Sequence, residues 1–219
     1  MKIKVCGMRE DANIKGVADL RPDFMGFIFY RRSPRYFGED REGMLIRMVA
    51  EMGIEPVGVT VDEGEESILN LSEKYGLRTF QLHGGESPEL CASLRERGLR
   101  VIKAIGIGGE RGVETLGRYA GAVDMFLLDT ACAEKGGSGV KFDWRVLESY
   151  DAEEPFMLSG GIGPDDYEVI KGIGHRRFAG IDLNSRFETA PGLKDRELLE
   201  RFMNRLRGQE GMSKGNVNY

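Results

Sequence analysis

Two side chains in this sequence stand where a short apolar run stops, and each could move a proton. Cys6 closes K-I-K-V-C and is followed at once by Gly7. Asp129 closes M-F-L-L-D. A thiol with the ordinary pKa near 8.5 is about 3% thiolate at pH 7, a workable fraction for a base, and nearby positive charge raises it. An unperturbed carboxyl near 3.9 is only about 0.1% protonated at pH 7. Asp129 therefore needs burial to raise its pKa before it can act as a general acid. Plainer readings stand beside these. A lone Cys is commonly a small buried hydrophobe, and Asp129 could simply cap the loop that leads into G-G-S-G.

Other polar residues stand beyond apolar runs in the same way. R-R-S-P-R-Y, Arg31–Tyr36, follows G-F-I-F and contains Arg35. The arginine fork fits a carboxylate through two bonds, whereas a solvated arginine needs no partner. Gln81 and His83 close T-F-Q-L-H, and His83 suits either substrate contact or a structural hydrogen bond. Ser159–Gly161 reads S-G-G and Asp182–Ser185 reads D-L-N-S. Gly160 and Gly161 let backbone amides approach an anion, while Asn184 and Ser185 add donors. His83 and His175 fall far apart in the chain, and the three cysteines, Cys6, Cys91 and Cys132, are widely spaced. That pattern is neither a disulfide framework nor a zinc site, so no metal and no cofactor is expected.

The elements that must position these residues alternate along the whole chain. Strands are expected at Ile3–Cys6, Phe24–Phe29, Pro56–Val61, Thr79–Leu82, Arg100–Ile105, Met125–Leu128, Phe156–Leu158 and Phe178–Leu183. Amphipathic helices are expected at Glu10–Leu20, Glu42–Met52, Glu65–Tyr75, Ser87–Arg97, Val113–Tyr119, Trp144–Tyr150, from Pro164 to Lys171, and at Asp195–Arg207. Ser87 is an N-cap with Pro88 at the first helical position, and Gly98 ends that helix. Thr130–Phe142 reads as a long loop. Strands apolar on both faces suit a parallel sheet covered by helices. Eight βα units over 219 residues average about 27 residues each, the size of one repeat in a closed (β/α)8 TIM barrel. The expectation is an α/β single-domain barrel over 1–207, with a polar, mobile tail at 208–219. An open doubly wound sheet is the alternative, but C-G-M-R after the first strand lacks its glycine fingerprint. In a barrel the active site gathers at the carboxyl ends of the strands, with phosphate held by the loops after strands seven and eight. The candidate site residues named above fall there, whereas His175 and Cys91 do not.

Composition narrows the partners. Lys and Arg number 31 against 36 Asp and Glu, a net charge of −5 with no basic stripe, which argues against nucleic acid. No run of about 18 apolar residues spans a membrane, and the N-terminus has no leader pattern. A cytoplasmic enzyme acting on a small phosphorylated molecule, as a monomer or homodimer, is expected.

These motifs, in this order, resemble the phosphoribosylanthranilate isomerase family of tryptophan biosynthesis. The resemblance rests on K-V-C-G-M, G-F-I-F followed by S-P-R, Q-L-H-G at Gln81–Gly84 and L-L-D at Leu127–Asp129. It extends through G-G-S-G-V-K-F-D-W at Gly136–Trp144, S-G-G-I at Ser159–Ile162 and the Asp182–Asp195 stretch ending G-L-K-D. It implies an Amadori rearrangement of N-(5'-phosphoribosyl)anthranilate to 1-(2-carboxyphenylamino)-1-deoxyribulose 5-phosphate, with Asp129 as general acid and Cys6 as base. Arg35 would take the substrate carboxylate, and the Gly161 and Ser185 loops its phosphate. Gln81, His83, Gly160, Asp182 and Asn184 complete the expected substrate contacts. One departure is plain: D-L-N-S-R-F-E, Asp182–Glu188, carries Arg186 where many members have glycine. The milder one is Gly-Gly-Ser-Gly in place of Gly-Gly-Thr-Gly. The competing readings are a histidine-pathway sugar isomerase and a phosphate-binding barrel without catalysis. The first would carry Asp at the end of strand one, where this chain has Cys6.

Overall fold

Eight short strands, too apolar to leave either face in water, close on themselves in the computed structural model of the chain. The structure describes residues 1–38, 43–107, 115–129, 147 and 150–208. The strands are β1 (Lys2–Val5), β2 (Phe24–Ile28), β3 (Glu55–Thr60), β4 (Thr79–Leu82), β5 (Arg100–Gly106), β6 (Met125–Asp129), β7 (Phe156–Ser159) and β8 (Phe178–Leu183). They pair in parallel in sequence order, and β1 returns to β8 through Lys4 opposite Asp182. The expected α/β barrel is therefore present, with strand bounds within about one residue of those read from the sequence.

Four helices follow the first four strands: α1 (Asp11–Ala18), α2 (Met44–Glu51), α3 (Glu65–Tyr75) and α4 (Pro88–Glu96). Their ends follow local chemistry. Leu90 N donates to Ser87 Oγ at 3.3 Å, which caps α4 as expected, and Gly76 at φ +70° ends α3. Helix Arg196–Leu206 is capped by Asp195, whose carboxylate accepts from Leu198 N at 2.9 Å. Two expectations need correction. The helix beginning at Pro164 opens as a 3-10 turn, Pro164–Asp166, before the α-helix Tyr167–Lys171. A hairpin absent from the sequence reading, β9 (Glu188–Ala190) with β10 (Leu193–Lys194), follows β8. Its strands are too short and polar to show a period.

The expected loop Thr130–Phe142, most of the helix Trp144–Tyr150, residues 113 and 114 of the helix ending at Tyr119, and the tail from 209 on lie outside the described residues. No helix among the described residues is long and apolar enough to cross a membrane.

Strand alternation sorts side chains into two cores. Inside the barrel, Phe24, Val57, Val59, Ile102, Ala104, Met125, Leu127 and Met157 pack together with Cys6. Outside it, Ile3, Val5, Phe80, Val101, Phe126 and Leu158 meet the helices. Cys6 and Asp129 share the parity of the interior residues on or beside their strands, so both face inward at the rim.

Candidate active site

The residues that close the strands meet around one cleft at the carboxyl ends of the barrel. It encloses about 170 Å³ and is lined by His83, Asp129, Ser159, Gly160, Gly161, Ile162, Asp182, Asn184 and Ser185. Seven of the ten residues expected in the site are on this wall; Cys6, Arg35 and Gln81 are not. The same inward periodicity that fills the barrel with apolar side chains lower down brings polar ones to the mouth.

Asp129 is the last residue of β6, and its side chain is only partly buried, less enclosed than the four apolar residues before it suggest. His83 Nε2 lies 3.4 Å from Asp129 Oδ2. Behind the imidazole, Gln81 Nε2 sits 2.8 Å from His83 Nδ1. Gln81 is buried, so it orients His83 rather than meeting the cleft. With the amide nitrogen donating, the imidazole proton sits on Nε2 and faces Asp129; this amide and tautomer assignment follows from the contact geometry.

Cys6 lies just past β1, buried, with its backbone N–H donating to Leu183 O at 2.9 Å. Burial pushes the thiol pKa up, the Lys4 ammonium pulls it down, Asp182 pushes it up again and Lys194 pulls it down; the net direction is upward. The positive charge that a reactive thiol needs is thus present but outweighed in the empty barrel. Gly26 on β2 makes room for this arrangement. A Cβ there would stand 2.7 Å from Cys6 Sγ and 3.2 Å from Lys4 Nζ.

Lys4 was not among the residues expected in the site. It is completely buried, and its Nζ donates to Asp182 Oδ2 at 3.0 Å. Burial lowers its pKa, but the charges of Asp182 and Cys6 outweigh that, so it remains an ammonium. The signal was there: a lysine at the centre of a strand covered on both faces must find a counter-charge.

Arg35 is held by a protein carboxylate. Its Nε donates to Glu188 Oε1 and Oε2 at 2.9 and 3.0 Å, and its Nη2 to Oε2 at 2.6 Å. One edge of the fork is therefore occupied, while Nη1 carries no hydrogen bond to a described residue. Lys194, also buried, donates to Glu188 Oε1 at 2.6 Å and to Asn184 Oδ1 at 2.7 Å. Burial pushes the Glu188 carboxyl up, but hydrogen bonds from Arg35 and Lys194 and the lysine's charge hold it below the usual range. The network joins the cleft to Cys6. Gly7, at φ +77°, would drive a Cβ to 2.7 Å from Arg35 Cδ and 2.9 Å from Asn184 Oδ1. Glu188 and Lys194 sit on the unforeseen hairpin, so sequence reasoning missed both.

Gly160 and Gly161 adopt φ of +90° and +70°, the left-handed region that glycine reaches without strain. Their loop and the Asn184–Ser185 turn border the same end of the cleft. Arg186 lies in the 3-10 turn Ser185–Phe187 without a positive φ, so this turn does not require the glycine many family members have there. His175 serves the opposite end of the barrel: its Nδ1 accepts from Arg177 N at 3.1 Å, and its ring packs on Tyr150 and Phe156. Among the described residues, no three His, Cys, Asp or Glu side chains group as metal ligands would.

Comparison with known proteins places this geometry. Residues 3–205 match the family model described as N-(5'phosphoribosyl)anthranilate (PRA) isomerase. A protein named N-(5'-phosphoribosyl)anthranilate isomerase from Parabacteroides distasonis is 46% identical, over 94% of this chain and 93% of its own. The crystal structure of phosphoribosyl anthranilate isomerase from Thermotoga maritima superposes with a TM-score of 0.81 at 33% identity, covering 95% of this chain and 99% of that one. A further phosphoribosyl anthranilate isomerase structure, in complex with reduced 1-(o-carboxyphenylamino)-1-deoxyribulose 5-phosphate, gives a TM-score of 0.78 at 30% identity, again over 95% and 99%.

Proposed function

The chain belongs to the phosphoribosylanthranilate isomerase family and isomerises N-(5'-phosphoribosyl)anthranilate in tryptophan biosynthesis, and on that premise we propose that Cys6 and Asp129 are its base and its acid. The observation that supports this most is the convergence of inward-facing strand ends. Asp129, His83 and Asp182 share one cleft, and Lys4 links Asp182 to the Cys6 thiol.

The chemistry follows in order. The Asp129 carboxyl gives its proton to the furanose ring oxygen as the anilino nitrogen lone pair expels that oxygen. The ring opens, leaving a protonated imine and the Asp129 carboxylate. His83 Nε2, at 3.4 Å, turns its N–H toward the Asp129 carboxylate so formed and steadies it, and solvent returns the proton. The Cys6 thiolate then takes the proton from the second sugar carbon, and the electron pair left behind neutralises the imine to give an enolamine. Protonation of the first carbon and loss of the enol proton yield the ketone. No electron leaves the substrate, so the reaction itself calls for no redox partner. The cationic imine also favours the thiolate while it is needed, which offsets the burial that raises the pKa of the free thiol.

The ends of the substrate fix the sugar between acid and base. The phosphate lies against the Gly160–Gly161 amides and Ser185, with Asn184 beside it. The anthranilate carboxylate takes the free Nη1 edge of Arg35 while Glu188 holds the other edge. Asp182 Oδ1, which has no hydrogen-bond partner among the described residues, accepts a sugar hydroxyl. Holding both ends this way is worth several kcal/mol of orientation.

Loss of substrate fluorescence measures the reaction. Cys6→Ser and Asp129→Asn are each expected to fold, judged by circular dichroism and thermal midpoint, and to lose about 10²–10⁴-fold in kcat. A near-native kcat in either folded variant removes that residue from its role.

A further inference from the structure

Inside the barrel, a lysine and a cysteine share the space that Gly26 leaves open. Lys4 and Cys6 lie two residues apart, the first on β1 and the second just past it, on the same inward face. The place a Gly26 Cβ would fill is 3.2 Å from Lys4 Nζ and 2.7 Å from Cys6 Sγ. The lysine cannot swing away, because it is completely buried and Asp182, its direct neighbour on β8, holds Nζ at 3.0 Å. A buried ammonium costs several kcal/mol of desolvation, and replacing such a pair with apolar residues is often no less stable. Fold stability alone therefore gives little reason for a charge at this point.

We propose that Lys4 is a positioning residue of the reaction: its ammonium, pinned by Asp182, is the counter-charge that lets the Cys6 sulfur stand as thiolate until it takes the substrate's proton. The proposal rests on the reading of Cys6 as the base. The thiol's own proton leaves to solvent before the substrate's is taken, and Lys4 keeps all of its protons throughout. Asp182 has two tasks on this account. One oxygen holds Lys4, the other is buried with no hydrogen-bond partner among the described residues, and Asp182 lines the cleft.

Other charges surround the pair but lack this placement. Lys194 and Arg35, from the hairpin and the loop after β2, act on Cys6 from the rim, and they share the single Glu188 carboxylate as partner. His83 acts on Asp182 from across the cleft. Below, Lys2 and Arg100 stand over the Phe24 ring, and Arg100 is paired with Glu55. Lys4 alone among these stands beside the sulfur with its carboxylate partner on the same strand pair.

The test titrates the sulfur without substrate. The ultraviolet absorbance of the thiolate is followed against pH for each protein, as the difference from its Cys6→Ser version. Lys4→Met strands the Asp182 charge, so the deciding comparison is Lys4→Met/Asp182→Asn against Asp182→Asn, a background with no buried carboxylate to strand. The double variant is expected to titrate at least about one pH unit higher, leaving about tenfold less thiolate at pH 7. Lys4→Arg, which keeps the charge, is expected to titrate with the parent. Coincident curves for the double variant and Asp182→Asn overturn the proposal. So does a Lys4→Arg shift as large as that of Lys4→Met, because packing would then explain it. Failure of the underlying reading is separate: it shows as near-native turnover in Cys6→Ser, whatever Lys4 does.

Discussion

Two of the buried lysines stand on barrel strands, Lys4 on β1 and Lys103 on β5, and they face opposite ways. Lys103 points outward, beneath the start of α4, and every bond it can make is made. Its Nζ donates to Leu82 O at 3.1 Å, Gly84 O at 2.7 Å, Ala104 O at 3.2 Å and Glu86 Oε2 at 3.0 Å. Glu86 is equally saturated, accepting from the backbone of Asp62 and Gly84 as well. Lys4 points inward, and its surroundings are left incomplete. Asp182 Oδ1 is buried with no hydrogen-bond partner among the described residues. A closed network is what a scaffold needs, since an unmade buried bond costs about 1–3 kcal/mol. Open valences at the mouth belong to a site that a ligand completes. The outer pair fastens the loop carrying His83; the inner pair serves the thiol.

Substitutions can break this contrast, and the largest effect is expected on the scaffold side. Lys103→Met leaves Glu86 charged and buried, which should cost about 3–5 kcal/mol in a denaturant titration. Turnover per folded molecule should hold. A stable Lys103→Met enzyme with impaired turnover would erase the distinction between the two lysines. Next comes Arg35→Met. It removes a charged hydrogen bond to the substrate carboxylate, worth about 1.5–3 kcal/mol, and should appear in KM while the thermal midpoint changes little, because Lys194 still neutralises Glu188. An unchanged KM and kcat would rule out the clamp.

Glu188 sharpens the comparison through pH. Its folded-state pKa lies below the ordinary value, so its stabilisation is complete above about pH 4.3, the unfolded value, and disappears as pH falls through the depressed one. Acid unfolding monitored by fluorescence should therefore lose part of its steepness between those values in Glu188→Gln, with about 1–3 kcal/mol lost at pH 7. Parallel acid curves for the variant and the parent would contradict the shift. The smallest effect is expected of Arg186→Gly, an exposed change at a position without special backbone demands. It should move stability by no more than about 0.5 kcal/mol in the same titration.

What the sequence made legible was whatever repeats or stands at a boundary. Apolar runs marked all eight strands, and Ser87-Pro88 marked the start of α4. Residues closing those runs marked most of the cleft, because in a parallel barrel every strand points its end at the same mouth. Long-range pairing left no such trace. Arg35 meets Glu188 across 153 positions and Lys4 meets Asp182 across 178, separations that no local pattern encodes. The hairpin carrying Glu188 and Lys194 has strands too short for a period. Reading K-I-K-V-C as a short apolar run also passes over Lys4, although a barrel strand has two buried faces.

The most direct test is a crystal structure with the reduced product analogue bound. The account predicts the second sugar carbon within about 3–3.5 Å of Cys6 Sγ, the near-attack range, with the Asp129 carboxyl at the oxygen that closes the ring. An analogue seated against Asp129 with the Cys6 sulfur still sealed behind Lys4 and Asp182 would contradict it.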